Sequence, residues 1–171
     1  MRKLIKLYQK IRNMIYASFF GRVSLLRKLG GQVGTDCRFI GKIDFGSEPY
    51  LIKIGDHVSI TSSYFVNHDG GVWVLRDEFP SIDVVKPICI GNNVFIGSQC
   101  IIMPGVNIGD NVVIGAGSVV TKNLESNGVY AGVPAKFIKS LSDYKNSSLA
   151  SNLNTKDLSG KRGYLQRFYK R

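Results

Sequence analysis

Two histidines, His57 and His68, are the side chains of this sequence best suited to general-base chemistry. They are its whole histidine content, and imidazole is the side chain that most readily exchanges a proton near neutral pH. His57 lies in IGDHVS and His68 in VNHDGG. A carboxylate can orient such a base, and Asp69, Glu78 and Asp83 follow His68 along the chain. Either Asp69 or a backbone carbonyl can orient the ring, and the sequence leaves both open.

The segment VKPICIGNNVFIGSQCIIMPGVNIGDNVVIGAGSVV, residues 85–120, repeats an aliphatic side chain every six residues. A helix would repeat near 3.6 residues, and a half-buried strand would alternate with period two. Another small or aliphatic side chain precedes each aliphatic position by two, which puts both on one face of a short strand. Such hexapeptide repeats predict a parallel β-helix with three units per coil. The inward pairs are Ile88 and Ile90, Val94 and Ile96, Cys100 and Ile102, Val106 and Ile108, Val112 and Ile114, and Ser118 and Val120.

Weaker copies of the repeat lie upstream and are interrupted twice. The nine-residue spacing between Phe45 and Ile54 predicts a small insertion. Residues 67–87 lack the repeat, so we expect them to form a loop that leaves the coil at His68. The predicted fold is therefore all-β, a coil over residues 30–139 with a loop at 67–87. The upstream inward positions are Val33, Phe39 and Phe45, then Ile54, Ile60 and Val66.

Positive charge is concentrated at the two ends of the chain. The formal net charge is +11, yet the coil is nearly neutral, and residues 1–30 contain no acidic side chain. Nucleic-acid binding is disfavoured, because no recognised motif is present and the aromatic residues do not interleave with the basic ones. We expect no nucleic-acid partner.

Residues 1–29 predict an amphipathic helix. Its apolar face either caps the open end of the coil or contacts an anionic membrane, and the two roles can coexist. No long apolar run predicts a transmembrane helix, and no cleavage site follows as a signal peptide requires. The tail, residues 140–171, predicts a helix or a mobile segment. The apolar face comprises Leu4, Leu7, Tyr8, Ile11, Met14 and Ile15, with Lys3, Lys6, Lys10 and Asn13 opposite.

The three cysteines have no metal-type spacing, and an odd number does not suit a disulfide framework. Cys37 and Cys100 fall at inward positions, where we expect them to fill the core. Cys89 points outward and has no neighbouring histidine to activate it. We therefore expect a reducing, cytoplasmic location and no metal site.

Three stretches, IGNNVFIG, MPGVNIGDNVVIGAGSVVTKN and AGVPAKFIK, resemble the hexapeptide acyltransferases, whose fold is a left-handed parallel β-helix. They are most similar to the branch of maltose and galactoside O-acetyltransferases and of capsule or O-antigen O-acetyltransferases. The similarity covers residues 30–139, and Phe95 stands where many relatives have tryptophan. The resemblance implies an acetyl-CoA-dependent enzyme that forms a homotrimer and uses no metal.

The resemblance also implies roles for individual residues. His68 matches the family's catalytic histidine, and some members place an acidic residue directly after it, here Asp69. Asn67 and Trp73 are candidates for contact with a sugar acceptor, Trp73 as a stacking surface. Coenzyme A would lie in a groove between neighbouring coils. Its candidate contacts are Ser98, Ala116, Thr121 and Lys122 for the pantetheine arm, and Lys136 and Lys139 for the phosphates.

Outward residues eighteen apart should stack on the faces of the coil, and two of the three faces are apolar. Apolar stripes of this kind are typical of an interface or a ligand groove. The resemblance implies a threefold assembly that brings His68 of one subunit near the coenzyme groove of the next. The expected pairs are Phe95 with Val113, Ile101 with Val119, and Cys89 with Asn107.

The leading hypothesis is an acetyl-CoA-dependent O-acetyltransferase that modifies a sugar of a bacterial surface polysaccharide, free or lipid-linked. Transfer would be direct, without an acyl-enzyme. One alternative keeps the scaffold but acylates an amino sugar or a xenobiotic; another is a β-helix that binds or scaffolds without catalysis. A carbonic-anhydrase-like metal site is disfavoured because it needs three histidines and the chain has two.

Overall fold

A computed structural model describes residues 2–153 and 155. Short strands dominate it, with a long helix before them and a shorter helix after them. The helices are α1 (Arg2–Lys28) and α2 (Leu141–Ala150), with 3₁₀ turns at Pro49–Leu51 and Gly70–Leu75. The strands are β1 (Gln32–Val33), β2 (Arg38–Ile40), β3 (Ile52–Ile54), β4 (Ser59–Thr61), β5 (Tyr64–Phe65), β6 (Ile88–Ile90), β7 (Val94–Ile96), β8 (Ile101–Ile102), β9 (Asn107–Ile108), β10 (Val112–Ile114), β11 (Val119–Val120), β12 (Gly128–Ala131) and β13 (Lys136–Ser140).

The strands form three parallel sheets, which are the sides of one coil. Side A contains β1, β3, β6 and β9; side B contains β2, β4, β7, β10 and β12, with β13 antiparallel at its end; side C contains β5, β8 and β11. From β6 to β11 successive strands occupy sides A, B and C in turn, so the chain makes one coil every three strands. Pairing of Val94 with Val112 gives a coil of eighteen residues. This confirms the parallel β-helix predicted from the period of six.

Inward side chains of successive coils pack on one another to form the core. All twelve inward residues predicted between 88 and 120 are buried. The outward pairs also stack as expected, with Phe95 opposite Val113, Ile101 opposite Val119, and Cys89 opposite Asn107. Upstream, Val33 and Phe39 are partly buried against the core, because the first coil has only one neighbour.

One upstream inward position was predicted wrongly. Phe65, not Val66, is the core residue of side C, and it pairs with Ile102. The corner between β4 and β5 is one residue shorter than the same corner in later coils. The inward residue of β5 therefore comes one position earlier than the period of six predicts. The buried Ser63 occupies that corner, where its hydroxyl donates to the carbonyl oxygens of Thr61 (2.7 Å) and Gly97 (3.1 Å).

Both interruptions of the repeat lie at the corner between sides C and A. The expected insertion is residues 46–51 and includes the 3₁₀ turn Pro49–Leu51. One coil further on, the loop 67–87 leaves the β-helix and returns beside itself. Its base is closed by two hydrogen bonds, Asp69 N–H to the Val84 oxygen (2.8 Å) and Lys86 N–H to the Asn67 oxygen (2.9 Å).

The corner between sides A and B is regular and carries a ladder of polar side chains. Asn93 donates to Asn111 (2.8 Å), and Asn111 donates to Asn127 (3.0 Å). All three have positive φ, between 54° and 63°, a left-handed conformation that asparagine tolerates better than most residues. His57 continues the same column, with φ 55°.

Helix α1 extends further than the predicted amphipathic face and is broken at Gly21, where φ is 78° and ψ is 167°. The cap of the coil comes after this break, since Leu25 and Leu26 are buried in the core. Of the two roles expected for the apolar face of residues 4–15, packing on the coil end is not observed, because those side chains are exposed. In the described part of the chain, no helix is long and apolar enough to cross a bilayer.

The chain divides into two compact units, residues 1–141 and 142–171. Helix α1 therefore belongs to the same unit as the coil predicted over 30–139. In the tail predicted over 140–171, α2 is helical as one of the two alternatives proposed. Residues 154 and 156–171 lie outside the described part of the chain.

Candidate active site

His68 lies at the corner between sides C and A, where the loop 67–87 begins. Its Nδ1 is 3.4 Å from Glu48 Oε1, and its Nε2 is 2.8 Å from Asp83 Oδ1. Glu48 belongs to the insertion of the preceding coil and its side chain is 16% exposed, whereas Asp83 belongs to the loop and is 53% exposed. The imidazole, 32% exposed, therefore lies between a mostly buried carboxylate and a solvent-facing one.

A pocket of about 200 Å³ lies beside this histidine, and Asp44, Gly46, Ser47, Tyr64 and Asn67 contribute to its wall. Asn67 is fully buried, and neither Oδ1 nor Nδ2 of its amide has a hydrogen-bond partner among the described residues. Outside the residues that line the pocket, Oε2 of Glu48 is also buried and unpartnered among the described residues. Buried polar groups without partners are costly, so this pocket suits a ligand that brings several hydrogen-bonding groups.

Asp69 does not orient His68. Its Oδ1 accepts the backbone N–H of Gly71 at 2.9 Å and caps the 3₁₀ turn Gly70–Leu75. The structure gives the orienting position to Glu48 and Asp83 instead. Asp83 was among the loop acids considered from the sequence, but Glu48 was not. The nine-residue spacing that predicted an insertion at the same corner was the signal that could have identified Glu48.

Of the two proposed acceptor contacts, Asn67 reaches the pocket and Trp73 does not. The indole of Trp73 is 72% exposed on the 3₁₀ turn of the loop, and it is not among the residues that line the pocket. In the described chain, Trp73 is a surface residue of the loop.

His57 has a different environment, at the regular corner between sides A and B. Its Nδ1 is 2.9 Å from Asn93 Oδ1, so the ring extends the asparagine ladder. Its Nε2 is 3.7 Å from Asp36, and both side chains are largely exposed. His57 is therefore a largely exposed residue of the regular corner.

Three of the proposed coenzyme contacts lie at the corner between sides B and C. Ser98 and Ala116 are one coil apart, and the carbonyl oxygen of Ser98 accepts the N–H of Gly117 at 2.8 Å. Lys136 is exposed and pairs with Ala131 at the end of β12. A side chain on Gly117 would meet no other atom, so the backbone here is open to a ligand. Lys139 lies further along β13 and pairs with Val129.

Thr121 and Lys122 lie at another corner, between sides C and A. They follow β11 as Asn67 follows β5. The alignment of the coils shows this, because Val66 N–H donates to the carbonyl oxygen of Ile102, and Met103 N–H donates to the carbonyl oxygen of Val120. Thr121 is therefore on the same edge as the histidine site, two coils away, or about 10 Å at the usual strand spacing. The proposed coenzyme contacts thus divide between two corners of the coil.

The cysteines are free and differ in environment. Cys100 is fully buried, and burial raises the pKa of its thiol, which agrees with a core-filling role. Cys37 and Cys89 are half-buried. Among residues 2–153 and 155, no group of three His, Cys, Asp or Glu side chains is arranged to hold a metal ion.

Comparison with known proteins identifies the family. Residues 87–122 match the model of the hexapeptide repeat of succinyl-transferase. The chain is 54% identical over 136 residues to Protein CapG of Staphylococcus aureus, an alignment that covers 78% of this chain and 79% of CapG.

Two solved structures share the fold. One is a maltose O-acetyltransferase from Clostridium difficile 630, with a TM-score of 0.61 and 31% identity, covering 82% of this chain and 89% of that one. The other is a galactoside acetyltransferase in complex with coenzyme A, with a TM-score of 0.55 and 29% identity, covering 82% and 78%. These neighbours imply that the β-helix is left-handed. The chain belongs to the hexapeptide-repeat acetyltransferase family.

Proposed function

We propose that this protein transfers the acetyl group of acetyl-CoA to a hydroxyl of a sugar, with His68 as the general base. The observation that carries the proposal is the pocket lined by His68 and by Asn67, whose buried amide has no hydrogen-bond partner among the described residues. A sugar offers several hydroxyls that donate and accept hydrogen bonds, and so can satisfy these groups while one hydroxyl faces the imidazole.

In the proposed reaction, Nε2 of His68 takes the proton of the acceptor hydroxyl as its oxygen bonds to the acetyl carbon. The carbon–sulfur bond breaks, and the proton passes to the departing thiolate to give coenzyme A. Nε2 must therefore be open to the acceptor. Since Asp83 is the more exposed of the two carboxylates, we propose that the acceptor displaces it while Glu48 stays on Nδ1 and orients the ring.

For the coenzyme, the exposed backbone at Ala116 and Gly117, next to Ser98, suits the thin pantetheine arm, as the family resemblance implies. Lys136 is an exposed cation at the same corner, and a lysine suits phosphate as a point charge. Lys139, Thr121 and Lys122 keep the roles that the resemblance implies for them. The coenzyme A complex of the galactoside acetyltransferase supports this choice of donor.

We propose that the active unit is a homotrimer. His68 lies at the corner between sides C and A, whereas Ser98 and Ala116 lie at the corner between sides B and C, so one whole side of the coil separates them within a chain. A second copy that turns its C–A corner toward this groove would bring the base to the thioester. Contacts of this head-to-tail type close into a ring, and the half-buried pairs such as Ile101 and Val119 on side C offer an apolar surface for it.

The acceptor we favour is a unit of a bacterial surface polysaccharide, modified in the cytoplasm before export. Support comes from the polar pocket and from solved relatives described as maltose and galactoside acetyltransferases. Three free cysteines among the described residues also suit a reducing compartment.

The test is release of coenzyme A from acetyl-CoA in the presence of matched acceptors. A galactoside and the corresponding amino sugar differ only in the nucleophile at one carbon, so their kcat/KM values separate oxygen from nitrogen transfer. We expect the hydroxyl acceptor to be preferred. Faster transfer to the amine would favour the N-acetyltransferase alternative, and no binding of coenzyme A by calorimetry would favour a non-catalytic β-helix.

The coenzyme groove has its own test in Lys136→Ala. The KM for acetyl-CoA should rise and become less dependent on salt, because a charge pair with phosphate is lost. A change confined to the KM of the acceptor would place the coenzyme elsewhere.

A further inference from the structure

An apolar stripe on α1 faces away from the coil. It consists of side chains that follow the helical period, and their exposure runs from 44% at Ile11 to 79% at Phe19. Exposed contiguous apolar surface of this kind usually marks an interaction site. The stripe comprises Leu4, Leu7, Tyr8, Ile11, Met14, Ile15 and Phe19.

The coil does not use this stripe to hold the helix. Tyr16 and Ala17, on another side of α1, are the residues that pack against the core, and Leu25 and Leu26 close the end of the coil after the break at Gly21. The helix is thus attached to the coil by one side and presents a second apolar side to its surroundings. Positive φ at Gly21 lets the two parts of α1 take different directions.

The charge around the stripe is of one sign. Residues 1–30 contain no acidic side chain, and Lys10 and Arg12 are exposed on α1 beside the stripe. A second copy of this helix would bring cations against cations, whereas an anionic bilayer offers opposite charge over the same surface. Each Lys or Arg near such a surface strengthens binding several-fold. Charge complementarity therefore favours lipid over another copy of the chain.

We propose that α1 docks the protein on the surface of an anionic membrane, lying in the plane of the interface with the apolar stripe among the acyl chains. Amphipathic helices with a basic polar side bind bilayers in this manner. Docking would hold the enzyme where lipid-linked sugars are found. The inference does not depend on the acyl transfer proposed above, since it concerns a surface of α1 and not the pocket at His68.

The test is sedimentation of the full chain with vesicles of phosphatidylcholine alone or of phosphatidylcholine mixed with phosphatidylglycerol. We expect binding to the anionic vesicles that weakens as salt is raised. Leu7→Asp should reduce the partition coefficient about ten- to a hundredfold or more, because a leucine leaves the acyl region. Gln9→Asp is the matched control: it adds the same charge two residues away, off the stripe, and should retain most of the binding.

Equal loss of binding by Leu7→Asp and Gln9→Asp would show that charge alone is responsible and would overturn the docked geometry. Absence of binding by the wild-type chain would overturn the proposal outright. Light scattering of the same variants decides the remaining case. If the wild-type chain does not sediment with anionic vesicles and Leu7→Asp lowers the molar mass of the assembly, the stripe is a contact between copies and not a lipid-binding surface.

Discussion

The two histidines occupy two corners of one coil, and the corners differ in regularity. At the A–B corner the repeat is unbroken, and His57 joins a column of side chains in the left-handed conformation whose hydrogen bonds run from coil to coil. At the C–A corner the repeat is interrupted twice, and His68 meets Glu48 from one interruption and Asp83 from the other.

The two corners differ in whether their polar side chains already have hydrogen-bond partners. At the regular corner, His57, Asn93 and Asn111 already hydrogen-bond to the next side chain of the ladder. The irregular corner brings together residues from the insertion 46–51 and the loop 67–87, and leaves Asn67 and one oxygen of Glu48 unpartnered. If the C–A corner is the active site, as proposed above, substitutions there should lower activity and spare stability, and substitutions at the A–B corner should do the reverse.

The sharpest test of this division exchanges each histidine for alanine. His68→Ala should lower kcat roughly a hundred- to ten-thousandfold, the usual contribution of a general base, with the affinity for coenzyme A unchanged. His57→Ala should keep near-normal kcat. Steady-state kinetics and calorimetry of the two variants check this. Loss of kcat in His57→Ala with an active His68→Ala would reverse the assignment of the two corners.

The two carboxylates on His68 provide the next test. Glu48→Gln removes a charge-assisted contact from Nδ1 and should lower kcat roughly ten- to a hundredfold. The KM for acetyl-CoA should not change, because Glu48 acts through the imidazole and does not touch the coenzyme. A merely structural role would instead lower the thermal midpoint.

Asp83→Asn is the control for Glu48, because it removes the other carboxylate from the same ring. If the acceptor displaces Asp83, kcat should stay within a few-fold of wild type. A loss as large as that of Glu48→Gln would mean that Asp83 holds the ring and that Nδ1 is the nitrogen that meets the acceptor.

How much of this could be predicted from sequence depends on the regularity of each part. From Ile88 to Val120 the period of six placed every inward residue correctly, because each corner has the same length and the register is carried from coil to coil. At the shorter corner of Ser63 the same rule misplaced the core residue by one, taking Val66 for Phe65. Corner length is set by backbone geometry that the period does not reveal.

The candidate site at His68 was predicted only in part, because it too lies where the repeat is irregular. His68 was identified because the loop begins there, but the orienting carboxylate was sought next to it in sequence, at Asp69. Glu48 lies twenty residues earlier in the chain. It becomes a neighbour because the first coil is three residues longer than the later ones at the C–A corner, as the pairing of Gln32 with Lys53 shows. Contacts between coils depend on coil length, which the insertion alters.

The amphipathic helix shows a different limit. Its period correctly predicted a helix with an apolar face over residues 4–15, but a periodicity does not say what covers that face. Leu25 and Leu26, beyond the break at Gly21, cap the coil instead.

The regular corner can be tested through stability. Asn111 donates to Asn127 and accepts from Asn93, with φ 58°. Asn111→Ala loses both bonds and forces alanine into the left-handed region, so the free energy of unfolding should fall by about 1–3 kcal/mol. Urea denaturation measures this. Asn111→Gly, which adopts positive φ freely, should lose less, and kcat should be normal in both variants.

The smallest expected effect concerns pH at the same corner. Asp56 accepts the N–H (2.6 Å) and hydroxyl (3.0 Å) of Thr35, and these hydrogen bonds hold the pKa of its carboxyl below the ordinary value. A carboxyl whose pKa is lowered by folding contributes stability above its unfolded pKa, near 3.9, and loses it as the pH falls through the folded value. Below about pH 4, the melting temperature of the wild type should therefore fall more steeply with decreasing pH than that of Asp56→Asn. The asparagine keeps an acceptor oxygen but does not titrate. Because the group is exposed, we expect a difference of roughly a few degrees at most. Parallel pH dependence of the two melting curves would show that the Thr35 contact does not distinguish the charged carboxylate from a neutral acceptor.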